Sequence, residues 1–247
     1  MAAWWFALLA APFAGSLLFA LVRRLPREKP ELWGRSRCES CGHALGPLEL
    51  VPIASYVAQG GRCAACGARI APAHLVAELL AVTVAVAVDA TGVRGLDVLA
   101  GCALGWTLLA LAWIDWEHFI LPDVLTLPLI VAGVALAWLA GPWTLIDRAL
   151  AAILGFFGFG LLRWLYRKLR GREGLGRGDA KLLAAAGAWL GLDALDHVVL
   201  LAAVFGIGLA LLAKLRGAAL TGATALPFGP ALAAAIFLVW LAQAWMG

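Results

Sequence analysis

The chain has 247 residues, of which 64% are hydrophobic, with 15 acidic side chains against 19 basic ones and a mean hydropathy of +0.93. So few polar side chains cannot cover a water-facing surface, which excludes an ordinary soluble domain and implies a polytopic membrane protein. The net charge of +4 calls for no nucleic-acid partner, because membrane topology accounts for the basic residues.

A helix needs about 20 apolar residues to cross the hydrocarbon. The sequence offers eight such runs, near 3–22, 73–91, 95–114, 122–140, 144–166, 179–192, 195–213 and 222–245. The predicted fold is an all-α membrane protein of about eight transmembrane helices, whose sixth is short enough to begin below the membrane surface. No basic stretch precedes the first run, whereas Arg23, Arg24, Arg27 and Lys29 follow it. That pattern reads as an uncleaved anchor with its N-terminus outside. Threading eight spans from there puts 23–72, 115–121, 167–178 and 214–221 on the cytoplasmic side, and leaves just Arg94 and Arg148 at the outer face. The expected division is a first helix (1–22), a cytoplasmic insert (23–72) and a seven-helix membrane core (73–247).

The insert is rich in Gly, Pro and Arg and has no sustained helical period, so it reads as a small loop-rich domain. Within it, Cys38-Glu39-Ser40-Cys41 and Cys63-Ala64-Ala65-Cys66 are each followed by a glycine. Two such knuckles can present four thiolates to one tetrahedral zinc ion, and a domain of about 50 residues has too little core to fold without such a staple. Disulfides or redox dithiols are the alternatives, and a reducing cytoplasm disfavours disulfides. Four thiolates leave no open coordination position, so the zinc is read as structural. His43 is at most a spare ligand, and Cys102, in the third span, reads as a small packing residue.

The chemistry is expected at two acids. Asp115 ends the apolar run Leu108–Ile114, and Asp179, in Gly176-Arg177-Gly178-Asp179, opens another. An ionisable side chain at bilayer depth costs a few kcal/mol and marks function by default. The third span arrives at the cytoplasmic face and the sixth departs from it, which delivers both carboxylates to one depth. Gly176 and Gly178 are read as freeing the backbone for a tight entry and for close approach of a peptide. Two neighbouring carboxylates share a proton, so one can activate water while the other protonates a scissile carbonyl. Helix direction suggests Asp179 as base and Asp115 as acid. Asp123, after Pro122, reads as a helix cap. Glu78, one turn into the second span, is a buried acid of open function.

Taken in order, these residues resemble the type IV prepilin peptidase family. The resemblance rests on Gly15-Ser16 with Arg24-Leu25-Pro26, on Leu50 to Tyr56 between the cysteine pairs, and on Gly61-Arg62-Cys63. It continues through Ile114-Asp115, Leu121-Pro122-Asp123, Leu125-Thr126-Leu127-Pro128, Gly176 to Leu182 and Pro227-Phe228-Gly229-Pro230. It implies an inner-membrane aspartyl protease with its active site facing the cytoplasm. Such an enzyme removes the basic leader of type IV prepilins or type II secretion pseudopilins by cutting after a glycine. It also implies N-methylation of the new N-terminal residue with S-adenosylmethionine, although the sequence has no G-x-G-x-x-G loop. Phe19 stands where the family's first span usually has an asparagine. A presenilin-like intramembrane protease would share the Gly-x-Gly-Asp element but leaves the cysteines unexplained. A transporter using the two aspartates as a proton relay should show repeats with broken helices, and none is evident. A redox membrane protein would use the cysteines as dithiols, and metal content separates it from the zinc reading.

Overall fold

The computed structural model describes residues 2–26, 34–171, 176–217 and 226–246. Arg27, Lys29 and the predicted start of the last span at 222–225 lie outside them. The described residues form nine α-helices and no β-strand: α1 (Ala2–Arg24), α2 (Ala54–Ala58), α3 (Ala73–Ala90), α4 (Leu96–His118), α5 (Asp123–Ala140), α6 (Pro142–Arg170), α7 (Arg177–Leu190), α8 (Leu195–Leu215) and α9 (Gly229–Met246). Seven of them are long and apolar enough to cross a membrane, the exceptions being α2 and α7.

The predicted sixth span is α7, and its 14 residues rise about 21 Å, short of the roughly 30 Å of hydrocarbon. Every residue of α7 from Asp179 to Leu190 except Lys181 is buried. It is a core helix enclosed by α5, α6, α8 and α9, which is why its apolar run resembles a span without needing the length of one. Small residues make that enclosure possible. A Cβ on Gly155 of α6 would lie 2.8 Å from the Leu183 carbonyl oxygen, and one on Gly133 of α5 would lie 2.8 Å from that of Ala188. Backbones therefore touch where side chains would hold them apart. The Trp189 indole N–H donates to the Leu129 carbonyl oxygen at 2.8 Å and ties α7 to α5.

The chain divides into two compact units, Met1–Trp106 and Thr107–Gly247. In the first, α1 packs on α3, and the described part of the insert lies in the chain between them. A Cβ on Gly15 would sit 2.6 Å from Glu78 Cα, so only glycine allows this approach. Phe19 is buried, its ring centroid 4.3 Å from that of His74. This position thus serves packing between α1 and α3. Cys102 is fully buried, as expected of a packing residue. The second unit holds α5 to α9 and the C-terminal part of α4.

Candidate active site and metal centre

In the first unit the four cysteines converge as the spacing predicts. The ligand atoms of Cys38, Cys41, Cys63 and Cys66 all lie within 4.8 Å of one another, and none is in a disulfide. Cys38 Sγ and Cys66 Sγ are 3.9 Å apart, close to the edge of about 3.8 Å that four Zn–S bonds of about 2.3 Å define. The two halves are built alike, 25 positions apart. The Gly42 N–H donates to Cys38 O and the Cys38 N–H to His43 O, while the Gly67 N–H donates to Cys63 O and the Cys63 N–H to Ala68 O, all at 2.8 to 2.9 Å. One isolated bridge closes each half, Arg37 with Ala44 and Arg62 with Arg69. Gly42 and Gly67 sit at φ +73° and +70°, where a Cβ would be strained. The backbone N–H groups of Cys41 and Ser40 pull the Cys38 thiol down to about 6, which favours the thiolate a metal requires. The four sulfur ligands and their spacing fit a tetrahedral zinc centre. His43 is not part of it: its Nε2 lies 3.3 Å from Glu49 Oε2, which also accepts the Gly46 N–H at 2.7 Å.

Glu78 is 7% exposed, and its partners explain why it is tolerated. The Ile53 N–H donates to Glu78 Oε2 at 2.6 Å, and the Ser16 side chain is near enough to favour the same carboxylate. Ile53 has φ 59° and ψ −55°, and the Ala54 N–H reaches back to the Pro52 carbonyl oxygen at 2.5 Å. This is a γ-turn of the strained hand, at a β-branched residue, and costs about 1–3 kcal/mol. Glu78 thereby pins the insert to α3, and Ser16 extends the tie to α1.

The two aspartates belong to the second unit. Each is 6% exposed, and they are close enough for the charge of Asp115 to act on Asp179. Asp179 occupies the third position of α7, and its Oδ2 accepts the N–H of Gly176, the residue capping that helix, at 2.9 Å. Gly176 itself has φ −70° and ψ 154°, an extended conformation open to any residue. Its value is proximity, since a Cβ there would lie 3.2 Å from Asp179 Oδ2. Gly178 likewise gives up its side-chain space to Leu121, whose Cβ would lie 2.7 Å from an added Cβ.

Asp115 does not end its helix, because α4 continues to His118. Its Oδ2 accepts the Gly229 N–H at 2.9 Å, where α9 begins. Both carboxylates therefore meet a backbone N–H where a helix begins, at the cap of α7 and at the first residue of α9. Helix direction accordingly ceases to separate an acid from a base. Asp123 is the first residue of α5 after the capping Pro122 and makes no capping bond; it pairs with Lys181, two residues beyond Asp179. The expected cap is instead a tether from α5 to α7.

Gly229, Leu121, Lys181 and Ile53 are the site residues to which sequence reasoning assigned no role. The Pro-Phe-Gly-Pro motif was the one signal for Gly229, as a glycine and a proline opening an apolar run.

Comparison with known proteins bears on both units. The sequence model of the Type IV leader peptidase family matches residues 102–211, and that of the Bacterial Peptidase A24 N-terminal domain matches residues 9–91. A prepilin leader peptidase/N-methyltransferase of Aeromonas salmonicida (strain A449) is 41% identical over 215 residues, covering 85% of this chain and 71% of that protein. One from Burkholderia pseudomallei (strain 1026b) is 38% identical over 254 residues, covering 93% and 82% respectively. One from Pseudomonas aeruginosa is 35% identical over 259 residues, covering 94% and 86%. No solved structure matches the chain.

Proposed function

This chain belongs to the type IV leader peptidase family, and we propose that it is a multi-pass membrane aspartyl peptidase that removes the leader of prepilins or pseudopilins, with Asp115 and Asp179 as its catalytic pair. The observation that carries this reading is the pairing itself. Two carboxylates from different helices of one unit are buried together, each with its Oδ2 on a glycine N–H. Their Oδ1 atoms lie outside those two bonds. Among the described residues, Glu78 has no such companion.

The pair holds one proton, because two adjoining carboxylates resist double ionisation. The ionised member takes a proton from water as the water oxygen adds to the scissile carbonyl carbon, and the protonated member gives its proton to the carbonyl oxygen. The tetrahedral intermediate then collapses, the C–N bond breaks and the leaving nitrogen takes up a proton. Neither a metal nor a covalent intermediate enters these steps.

The basic residues in the last turn of α1, Arg23 and Arg24, and the insert that follows argue for an active site at the cytoplasmic face of the inner membrane. The positively charged leader of a prepilin would lie at that face, with its following apolar helix in lipid, and cleavage after glycine follows from the family resemblance. Zinc is proposed as structural, held by Cys38, Cys41, Cys63 and Cys66, since four thiolates complete its shell. N-methylation with S-adenosylmethionine is proposed from the relatives' names and the resemblance, and no residue is assigned to it. No nucleic-acid partner is proposed.

The deciding experiment is co-expression of the chain with a prepilin, following leader loss and N-terminal mass together. Loss of the leader with a 14-dalton increment on the new N-terminus, the exchange of one hydrogen for a methyl group at about that mass, supports both activities. Loss without the increment supports the peptidase alone. An intact leader beside correctly inserted protein contradicts the proposal.

A further inference from the structure

The last helix is the part of the site that neither family match reaches: the peptidase match ends at residue 211, and α9 begins at Gly229. Three observations meet there. First, the Gly229 N–H donates to Asp115 Oδ2 at 2.9 Å, across 114 residues of sequence. Second, Gly229 is buried, and a Cβ built on it would lie 2.6 Å from Asp115 Oδ2, 2.8 Å from its Cγ and 3.0 Å from its Cβ. Those contacts are closer than real Cβ atoms make, and what they meet is the carboxylate itself.

Third, the start of α9 is held in place independently of Asp115. The Phe228 ring packs against Phe159 of α6, with centroids 6.4 Å apart, and lies 3.6 Å from the Cβ position of Gly206 on α8. The Leu232 N–H closes the first turn onto Phe228 O at 3.0 Å. Pro230 suits that first turn, since its fixed φ is helical and it has no N–H to leave unpaired. The N–H at position 229 is thus presented from a fixed frame, and the Asp115 carboxylate accepts from it there.

We propose that Gly229 is a positioning residue for peptide cleavage: its main-chain N–H sets the orientation of the Asp115 carboxylate, and the absence of a side chain leaves that carboxylate the room to face Asp179. The inference rests on the reading of Asp115 and Asp179 as the catalytic pair. It divides the positioning of the two aspartates between two glycines, Gly176 before α7 and Gly229 at the head of α9.

The test uses the full chain in lipid nanodiscs with a purified prepilin. Gly229→Ala keeps the N–H but displaces the carboxylate, and a misplacement near 1 Å lowers kcat about 100-fold. KM should stay unchanged, because the substitution acts on the placement of a proton-transfer group, whose loss lowers kcat. Gly208→Ala, whose added Cβ meets nothing within 4 Å, should leave kcat unaltered. A readout independent of activity is the thermal midpoint. Gly229→Ala should lower it in the wild-type background and lower it far less beside Asp115→Ala, where the colliding carboxylate is gone. If Gly229→Ala alone fails to accumulate, accumulation of the Asp115→Ala/Gly229→Ala double variant supports the proposal, and failure of both overturns it. Near wild-type kcat in Gly229→Ala, or the same fall in midpoint in both backgrounds, also overturns it. Retained cleavage in Asp115→Asn would instead defeat the catalytic pair, while leaving the thermal coupling between positions 115 and 229 as a separate result.

Discussion

The two units each bury acid at a helix end, and they do so to different ends. In the first, Glu78 has no second carboxylate beside it among the described residues and accepts the Ile53 N–H, with the Ser16 side chain close by. In the second, Asp115 and Asp179 use one oxygen each on a glycine N–H and lie within reach of one another's charge. Burial is nearly equal, at 7% exposure against 6% and 6%, so burial alone does not separate a tie from a reactive group. What separates them is the company: neutral donors that bind an insert to its helices in one case, a second carboxylate in the other. An acid whose neighbours are all donors serves structure, and an acid beside an acid can exchange a proton.

This contrast is sharpened most by exchanging the functional predictions of the two units. Asp115→Asn or Asp179→Asn should reduce leader removal by 10³-fold or more, on the order seen when a proton-transfer group acting as part of a unit is lost. The protease resistance of residues 34–72 should be unchanged, as measured by limited proteolysis of the same preparation. Next in size is metal removal. The insert should carry about one zinc per chain, and Cys38→Ser or Cys66→Ser, or treatment with a strong chelator, should open residues 34–72 to protease, because metal binding and local folding are linked. Metal analysis of fresh protein checks the stoichiometry, and intact disulfides without metal would contradict both the zinc centre and the cytoplasmic placement of the insert.

A smaller effect is expected at the tie. Glu78→Ala leaves the Ile53 N–H unpaired, at a cost of about 1–3 kcal/mol, and should speed cleavage of the 50–56 segment by protease. Glu78→Gln keeps an acceptor oxygen and should behave as wild type. Ile53→Gly, at φ 59°, removes backbone strain and should leave the turn at least as resistant. Loss of leader removal in Glu78→Gln with the insert intact would break the comparison, since it would give this carboxylate a chemical role. The smallest effect is at Asp123. Its pairing with Lys181 joins side chains 55% and 28% exposed, and such surface pairs contribute about 0–1 kcal/mol. Asp123→Asn should retain most leader-removal activity in the same assay.

Much of this arrangement is legible from the chain because the bilayer imposes a length on apolar runs and a shared metal site would impose a spacing on cysteines. The runs at 73–91 and 195–213 fall within a few residues of α3 and α8, and the cysteine pairs form matching knuckles. The acids at 115 and 179 are conspicuous because charge is rare in such runs. The unread parts have physical reasons. Core helix α7 carries an apolar run only from Leu182 on, and its shortness and its alanines at 184–186 and 188 are the clue to close packing. The Gly229 contact spans 114 residues and the Lys181 pair spans 58, distances over which no local pattern carries information. Ile53 is illegible for the opposite reason: a β-branched residue is the last choice for a positive φ, and it is held there by Glu78 from another element.

The central claim is that Asp115 and Asp179 act as one proton-sharing unit, and the most direct test is single-turnover cleavage of a prepilin by Asp115→Asn, Asp179→Asn and the double variant, each purified and shown to be folded. Residues acting as a unit are non-additive, so each single variant should lose essentially all cleavage and the double variant should be no slower than either. Near wild-type cleavage by either single variant, or losses that multiply in the double, would contradict it.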